Sequence, residues 1–111
     1  MLIASRVLTL VSGNNTIAIP IRIFAPEKSQ NGSWLCRYEV DWPGEQHKME
    51  MGGFDSVQAL LAALLAIGAE IYSSSYHKQG TLYLDKPGNG YGFPVVPTLR
   101  DLLQGDDAKY L

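Results

Sequence analysis

Between Asp55 and Glu70 the chain carries no charged residue, and its apolar residues recur at helical spacing. At 100° per residue, Val57, Leu60, Leu61, Leu64, Leu65, Ile67, Ile71 and Tyr72 fall in one arc of roughly 160°. The remaining arc holds Gln58, Ala59, Ala62, Ala63, Ala66, Ala69 and Glu70. This pattern predicts one helix over 55–73 whose large arc packs on a core. Gly68 sits at the centre of that arc, where the absence of a side chain permits close approach. Asp55 or Ser56 can cap the free first-turn amides, and the run Ser73–Ser75 ends the helix. The alanine arc faces either water or another backbone.

The rest of the chain reads as strands. Leu2–Val11 alternates, and Ser12-Gly13-Asn14-Asn15 turns the chain. Thr16–Phe24 has Ile17, Ile19, Ile21 and Ile23 at a period of two, with Pro20 inside it; a missing N–H there predicts an edge or a bulge. Ala25–Ser33 reads as a loop. Ser33–Trp42 places Trp34, Cys36, Tyr38, Val40 and Trp42 on one side and Leu35, Arg37, Glu39 and Asp41 on the other. Pro43-Gly44 leads into Gln46–Met51, and Gly52-Gly53 ends that strand. Thr81–Asp85 is a short fifth strand. A Gly- and aromatic-rich loop runs from Pro87 to Pro94. Thr98–Leu103 reads as a short helix capped by Thr98, Gly105 stops it, and Asp106–Leu111 is a tail. Short connections imply an antiparallel meander of four to five strands in the order ββββαβ, with one long helix on one face and a short C-terminal helix. The expected fold is a single α+β domain over residues 1–111.

Such a fold leaves a gap. A helix is about 10 Å wide and strands lie about 4.8 Å apart, so one helix covers about two strands. The remaining inner face needs the C-terminal segment (Phe93, Val95, Val96, Leu99, Leu102 and Leu103), a second subunit or a ligand.

Composition narrows the functional classes. With 46% hydrophobic and 18% charged residues the chain has the means to build a core, which argues against disorder. A net charge of -2 gives no reason to expect a nucleic-acid or anionic-membrane partner. The apolar run Ala59–Ala69, about 11 residues, falls short of the roughly 20 that span a bilayer. A single cysteine, Cys36, excludes an internal disulfide, and without a signal peptide the expected location is the cytoplasm.

No pattern for catalysis, cofactor or metal stands out. His47 and His77 lie on separate elements without metal-ligand spacing. The hydroxyls of Ser73–Ser75 and Tyr76 near His77 do not make a nucleophile–base pair by sequence proximity alone. Gly88-Asn89-Gly90-Tyr91-Gly92 lacks the Gly-Lys-Ser/Thr ending of a phosphate loop, and Pro94 follows instead of a helix. Its glycines are expected to let Tyr91 and Phe93 fold onto the domain. Cys36, between aromatics on an inward face, reads as an inert apolar thiol. Trp34, Tyr38, Trp42 and Tyr91 are the candidates for a ligand pocket, against the plainer alternative that they are core. Ala59, Ala62, Ala63, Ala66 and Ala69 are the candidates for an interface, since small residues admit close helix approach, against the plainer alternative of an exposed face of good helix formers.

Trp34-x-Cys36-x-Tyr38, Asp41-Trp42-Pro43-Gly44, the helix start Val57-Gln58-Ala59-Leu60, Tyr91-Gly92-Phe93-Pro94 and Arg100-Asp101-Leu102-Leu103 together resemble a family of small bacterial proteins catalogued as a domain of unknown function. The resemblance covers nearly the whole chain. It implies a bacterial, standalone single-domain protein and brings no activity, cofactor or catalytic residue with it.

The leading functional expectation is therefore a non-enzymatic cytoplasmic interaction module that self-associates as a homodimer or meets another protein. The second is a small-molecule binder or small enzyme using the aromatic sheet face and the Gly/Tyr loop. The third, on class analogy alone, is an immunity or antitoxin-like protein.

Overall fold

A computed structural model describes residues Met1–Leu111. Strands β1 (Leu2–Ser12), β2 (Asn15–Phe24), β3 (Glu27–Lys28), β4 (Trp34–Trp42) and β5 (Glu45–Gly53) precede helix α1 (Ser56–Ser73). A helical turn α2 (Ser75–Lys78), strand β6 (Leu82–Tyr83), a 3-10 helix (Pro97–Leu102) and helix α3 (Gly105–Tyr110) follow. Every strand pairing is antiparallel. The long strands form the expected meander β1-β2-β4-β5, and β6 adds itself to β1. The fold is α+β, with one six-stranded sheet and α1 lying along β4 and β5.

Three local expectations change. The segment 25–33 is not wholly loop: Glu27 and Lys28 pair with Leu35 and Trp34, continuing along β4 from where β2 leaves it. The short helix after Pro97 is of the 3-10 type and has no side-chain cap, so Thr98 does not serve as one. Gly105 opens α3 rather than ending a helix, and the supposed tail is helical to Tyr110. Pro20 sits just before the three β2 residues that pair with β4, Ile21–Ile23, so that side of β2 has no strand at the proline. On the far side of the sheet, β6 pairs only with Thr9 and Leu10, and the first half of β1 is a free edge.

Alternation sets the two faces of the sheet. Leu8, Leu10, Ile19, Ile21, Cys36, Tyr38 and Val40 are buried on the inner face. Outside, Arg22 bonds Glu39 at 2.9 Å and Asp41 at 2.6 Å. These partners raise the Arg22 pKa, and the Asp41 carboxyl is lowered by its bond from Arg22 and then by Gln46. Such half-exposed pairs add little stability.

The orientation of α1 departs from the expectation in the first half of the helix, while Ile67, Gly68, Ile71 and Tyr72 of the large arc are buried as expected. Ala59 and Ala63 are fully buried, with Ile67 beside them, whereas Val57 and Leu61 of the large arc are 72% and 50% exposed. β4 already supplies bulk on its inner face through Trp34, Tyr38 and Trp42, so a close-packed layer takes the small side of the helix against it. A Cβ on Gly53, at the end of β5, would stand 2.2 Å from the Ala59 nitrogen, which shows how tightly the helix start is seated. Ala59 and Ala63 are therefore not available as an interface between copies. Ala62, Ala66 and Ala69 flank them and are half-buried. Gly68 does permit a close approach, but not to the sheet. Its Cβ would lie 2.0 Å from the carbonyl oxygen of Pro94. The C-terminal segment crosses the second half of the large arc there, and Tyr91, Phe93 and Leu103 complete the core.

By length and composition alone α1 would suffice to cross a bilayer, a test that core helices also meet. In this fold Ala59, Ala63, Ile67 and Ile71 are buried with the sheet's inner face in one core.

Candidate functional site: an apolar groove beside the long helix

Two polar clusters tie α1 to the elements packed against it. The first centres on Glu70, which the alanine-side register of α1 directs at β4 and β5. Its carboxylate accepts from Trp42 Nε1 at 2.7 Å and Tyr38 Oη at 3.1 Å, and pairs with His47 Nδ1 at 2.5 Å. Large rings with polar tips need an acceptor when buried, and one carboxylate supplies it to both. Burial, and then the neighbouring Glu70, raise the Tyr38 pKa. His47 is thus held by a carboxylate, as the base of a catalytic dyad would be, but no serine, threonine or cysteine side chain bonds to it. The dyad has a base and an orienting group without a nucleophile in reach.

The second cluster anchors the C-terminal segment. Asp107 is 2% exposed and satisfied by three donors: Tyr72 Oη at 2.5 Å, the Tyr91 amide at 2.7 Å and the Gly92 amide at 2.8 Å. Gly90 has φ +89°, and a Cβ there would lie 2.5 Å from the Asp107 carboxyl carbon, so only glycine lets the loop wrap this closely. Tyr72, His77 and Tyr91 meet edge to face, with His77 Nδ1 2.6 Å from Tyr91 Oη. Burial raises the Tyr72 pKa, helped by Asp107, and pushes Tyr91 up to about 12. Burial also lowers His77, favouring the neutral ring.

The four aromatics that are candidates for a ligand pocket take the plainer position in or against the core. Tyr38 and Tyr91 are core residues with their hydroxyls engaged, Trp42 stacks on Tyr76 at 5.3 Å, and Trp34 packs half-buried against the core. None of the four lines either cavity of the protein. Their size and amphipathic tips suit core positions on a strand facing a small-residue helix. Cys36 is buried, its thiol 3.3 Å from the Phe24 carbonyl oxygen, and burial pushes its pKa up, so it is held as a thiol rather than a nucleophilic thiolate.

The open site lies elsewhere, where cover of the inner sheet face runs out. A cavity of about 200 Å³ is lined by Ala4, Ser5, Arg6, Ile23, Leu64 and the run Gly92–Pro94. β1 and β2 contribute Ala4 and Ile23, which are register partners. α1 supplies Leu64, and the C-terminal segment supplies Phe93 and Pro94. Leu61 follows Leu64 one turn back along α1, then Val57 and, just before the helix, Phe54 at 89% exposed. The cavity lining carries a single charged group, Arg6. Arg6 Nη1 donates to the carbonyls of Tyr91 and Gly92 at 3.1 Å each, and its guanidinium lies 5.0 Å from the centre of the Phe93 ring. The smaller cavity, about 110 Å³, is lined by Glu27, Lys28, Arg37 and Glu50 among others, charges of both signs that offset one another.

A family model matches residues 4–95, a span that holds every residue of the groove from Ala4 to Pro94. The chain belongs to the family described as Domain of unknown function (DUF6968). No curated protein and no solved structure matches the chain. The family span includes the Glu70 cluster and ends before Asp107.

Sequence reasoning missed the groove because its parts come from residues 4–6, 23, 64 and 92–94. One signal was present: the inner face of a four- or five-stranded sheet exceeds what one helix covers. Glu70 was also legible in part, as the one carboxylate on an otherwise uncharged helix.

Proposed function

We propose that this protein is a non-enzymatic cytoplasmic interaction module that self-associates through the bare first half of α1. The observation that carries this reading is the exposure of Phe54, just before α1, and of Val57 and Leu61 on it, by 89%, 72% and 50%, on a helix whose first charged residue is Glu70. Contiguous exposed apolar surface of this kind marks interaction sites. A second copy is the favoured occupant because Val57 and Leu61 lie on a helix whose first charge is Glu70, and a two-fold axis brings the same patch to both sides. The buried free thiol of Cys36 is compatible with a reducing compartment.

Magnitudes set the expected strength. Covering these three side chains contributes roughly 4 kcal/mol per copy on the usual scale for apolar burial. Doubling that and subtracting an association cost of about 4 kcal/mol or more leaves about 4 kcal/mol or less, a weak dimer with a millimolar or looser dissociation constant. Light scattering across a concentration series up to about 2 mM should show a rising mass for the wild type and a monomer for Val57→Glu/Leu61→Lys. A wild-type monomer throughout overturns self-association. A dimer indifferent to the two charges overturns the stripe as its interface and moves it to the free edge of β1.

A further inference from the structure

Arg6 is the one cation of the groove, and no carboxylate lies within ion-pair reach of it. Its side chain is nonetheless fixed. Nη1 spends both of its protons on the carbonyls of Tyr91 and Gly92, and the guanidinium plane is held against Phe93. A guanidinium carries five N–H donors in a rigid fork. Two are used, and the Nε and Nη2 donors have no acceptor in the protein. That pair is the edge that takes both oxygens of a carboxylate at once. Of the remaining walls, Ala4, Ile23, Leu64, Phe93 and Pro94 are apolar, Ser5 and Gly92 complete the lining, and no acidic residue lines the cavity.

We propose that the cavity binds a small monocarboxylate with an apolar body, the carboxylate on the Nε–Nη2 edge of Arg6 and the body between Leu64, Ile23 and Phe93. The size follows from the space. A cavity of about 200 Å³ has room for a short acyl chain such as that of pentanoate. The charge follows from the lining: one fixed cation without a counter-ion selects an anion and disfavours an amine. The geometry favours carboxylate over a spherical anion because the free donors are paired and coplanar. This inference does not rest on self-association, since Val57 and Leu61 do not line the cavity.

The test is titration of the isotope-labelled protein with sodium pentanoate, followed by amide chemical shifts. Pentanoate should move the amides of Ala4, Arg6, Leu64 and Phe93 with millimolar affinity, acetate at least about tenfold more weakly, and pentylammonium not at all. Arg6→Gln should weaken pentanoate about tenfold or more, with Arg6→Lys between, because a point charge replaces the fork. Because Arg6 also ties down Tyr91 and Gly92, Ala4→Phe provides the second arm: it fills the cavity, keeps Arg6 and should remove binding. The proposal is overturned if pentylammonium binds as well as pentanoate, if Ala4→Phe binds like the wild type, or if no shift maps to the cavity. The Val57→Glu/Leu61→Lys variant should bind pentanoate unchanged, which separates failure here from failure of the self-association reading.

Discussion

The two halves of α1 share one sequence pattern and meet different fates. In the second half Ile67, Gly68, Ile71 and Tyr72 are all buried, Glu70 binds three partners from β4 and β5, and the C-terminal segment lies across Gly68. In the first half only Ala59 and Ala63 are buried, Val57 and Leu61 are exposed, and Leu60 and Leu64 are half-buried. The helix face does not change between the halves; what covers it does. Amphipathic periodicity locates apolar residues but does not say which element covers them. The C-terminal segment crosses only the second half of the arc.

The strongest way to break this contrast is Gly68→Leu. The new side chain must displace the Pro94 backbone rather than a flexible neighbour, so a loss of about 3 kcal/mol or more is expected in urea melts. A variant as stable as the wild type would mean that the C-terminal segment does not lie on α1.

A pair of substitutions in the bare half gives a middle effect. Ala63→Leu pushes bulk against β4 and β5 and should cost about 1–3 kcal/mol. Leu61→Ser, one face away, should stay within about 0.5 kcal/mol. Equal losses from the two would restore the opposite facing of the helix.

The smallest effect is a pH dependence confined to the covered half. His77 has a folded-state pKa below its ordinary 6.5, because burial disfavours the charged ring. The unfolded chain therefore takes up the proton first. The stability that the neutral ring contributes is complete above about pH 6.5 and is lost as the pH falls through the folded-state value. Between about pH 7.5 and 5 the wild type should lose more stability than His77→Phe. Parallel losses would remove His77 as their source.

Most of the fold is legible because its signals are local. The isoleucines at 17, 19, 21 and 23, the aromatic alternation of 34–42 and the cap at Asp55, whose side chain accepts from the Gln58 amide at 2.8 Å, each involve neighbours in sequence. The helix facing was not legible because both arcs are apolar and the deciding factor, bulk on β4, is set by the sheet. The groove was not legible because Arg6 finds its carbonyl partners 85 and 86 residues away. Gly68 was read as a contact point and is one, though its partner is the Pro94 carbonyl and not a strand.

The Asp107 lock has a consequence for how the protein opens. One carboxylate holds the Tyr91 and Gly92 amides and the Tyr72 hydroxyl together, and Asp106 adds a backbone bond to the Asn89 carbonyl. Losing Asp107 frees all three donors at once, so residues 89–107 exchange their amide protons as one cooperative unit, below the free energy of global unfolding. That opening strips the cover from Gly68 and Tyr72 and extends the apolar strip along the full length of α1. The partly opened form is then the stickiest species the chain can populate while its sheet is still intact, and aggregation under mild stress starts from the last twenty or so residues rather than from the strands.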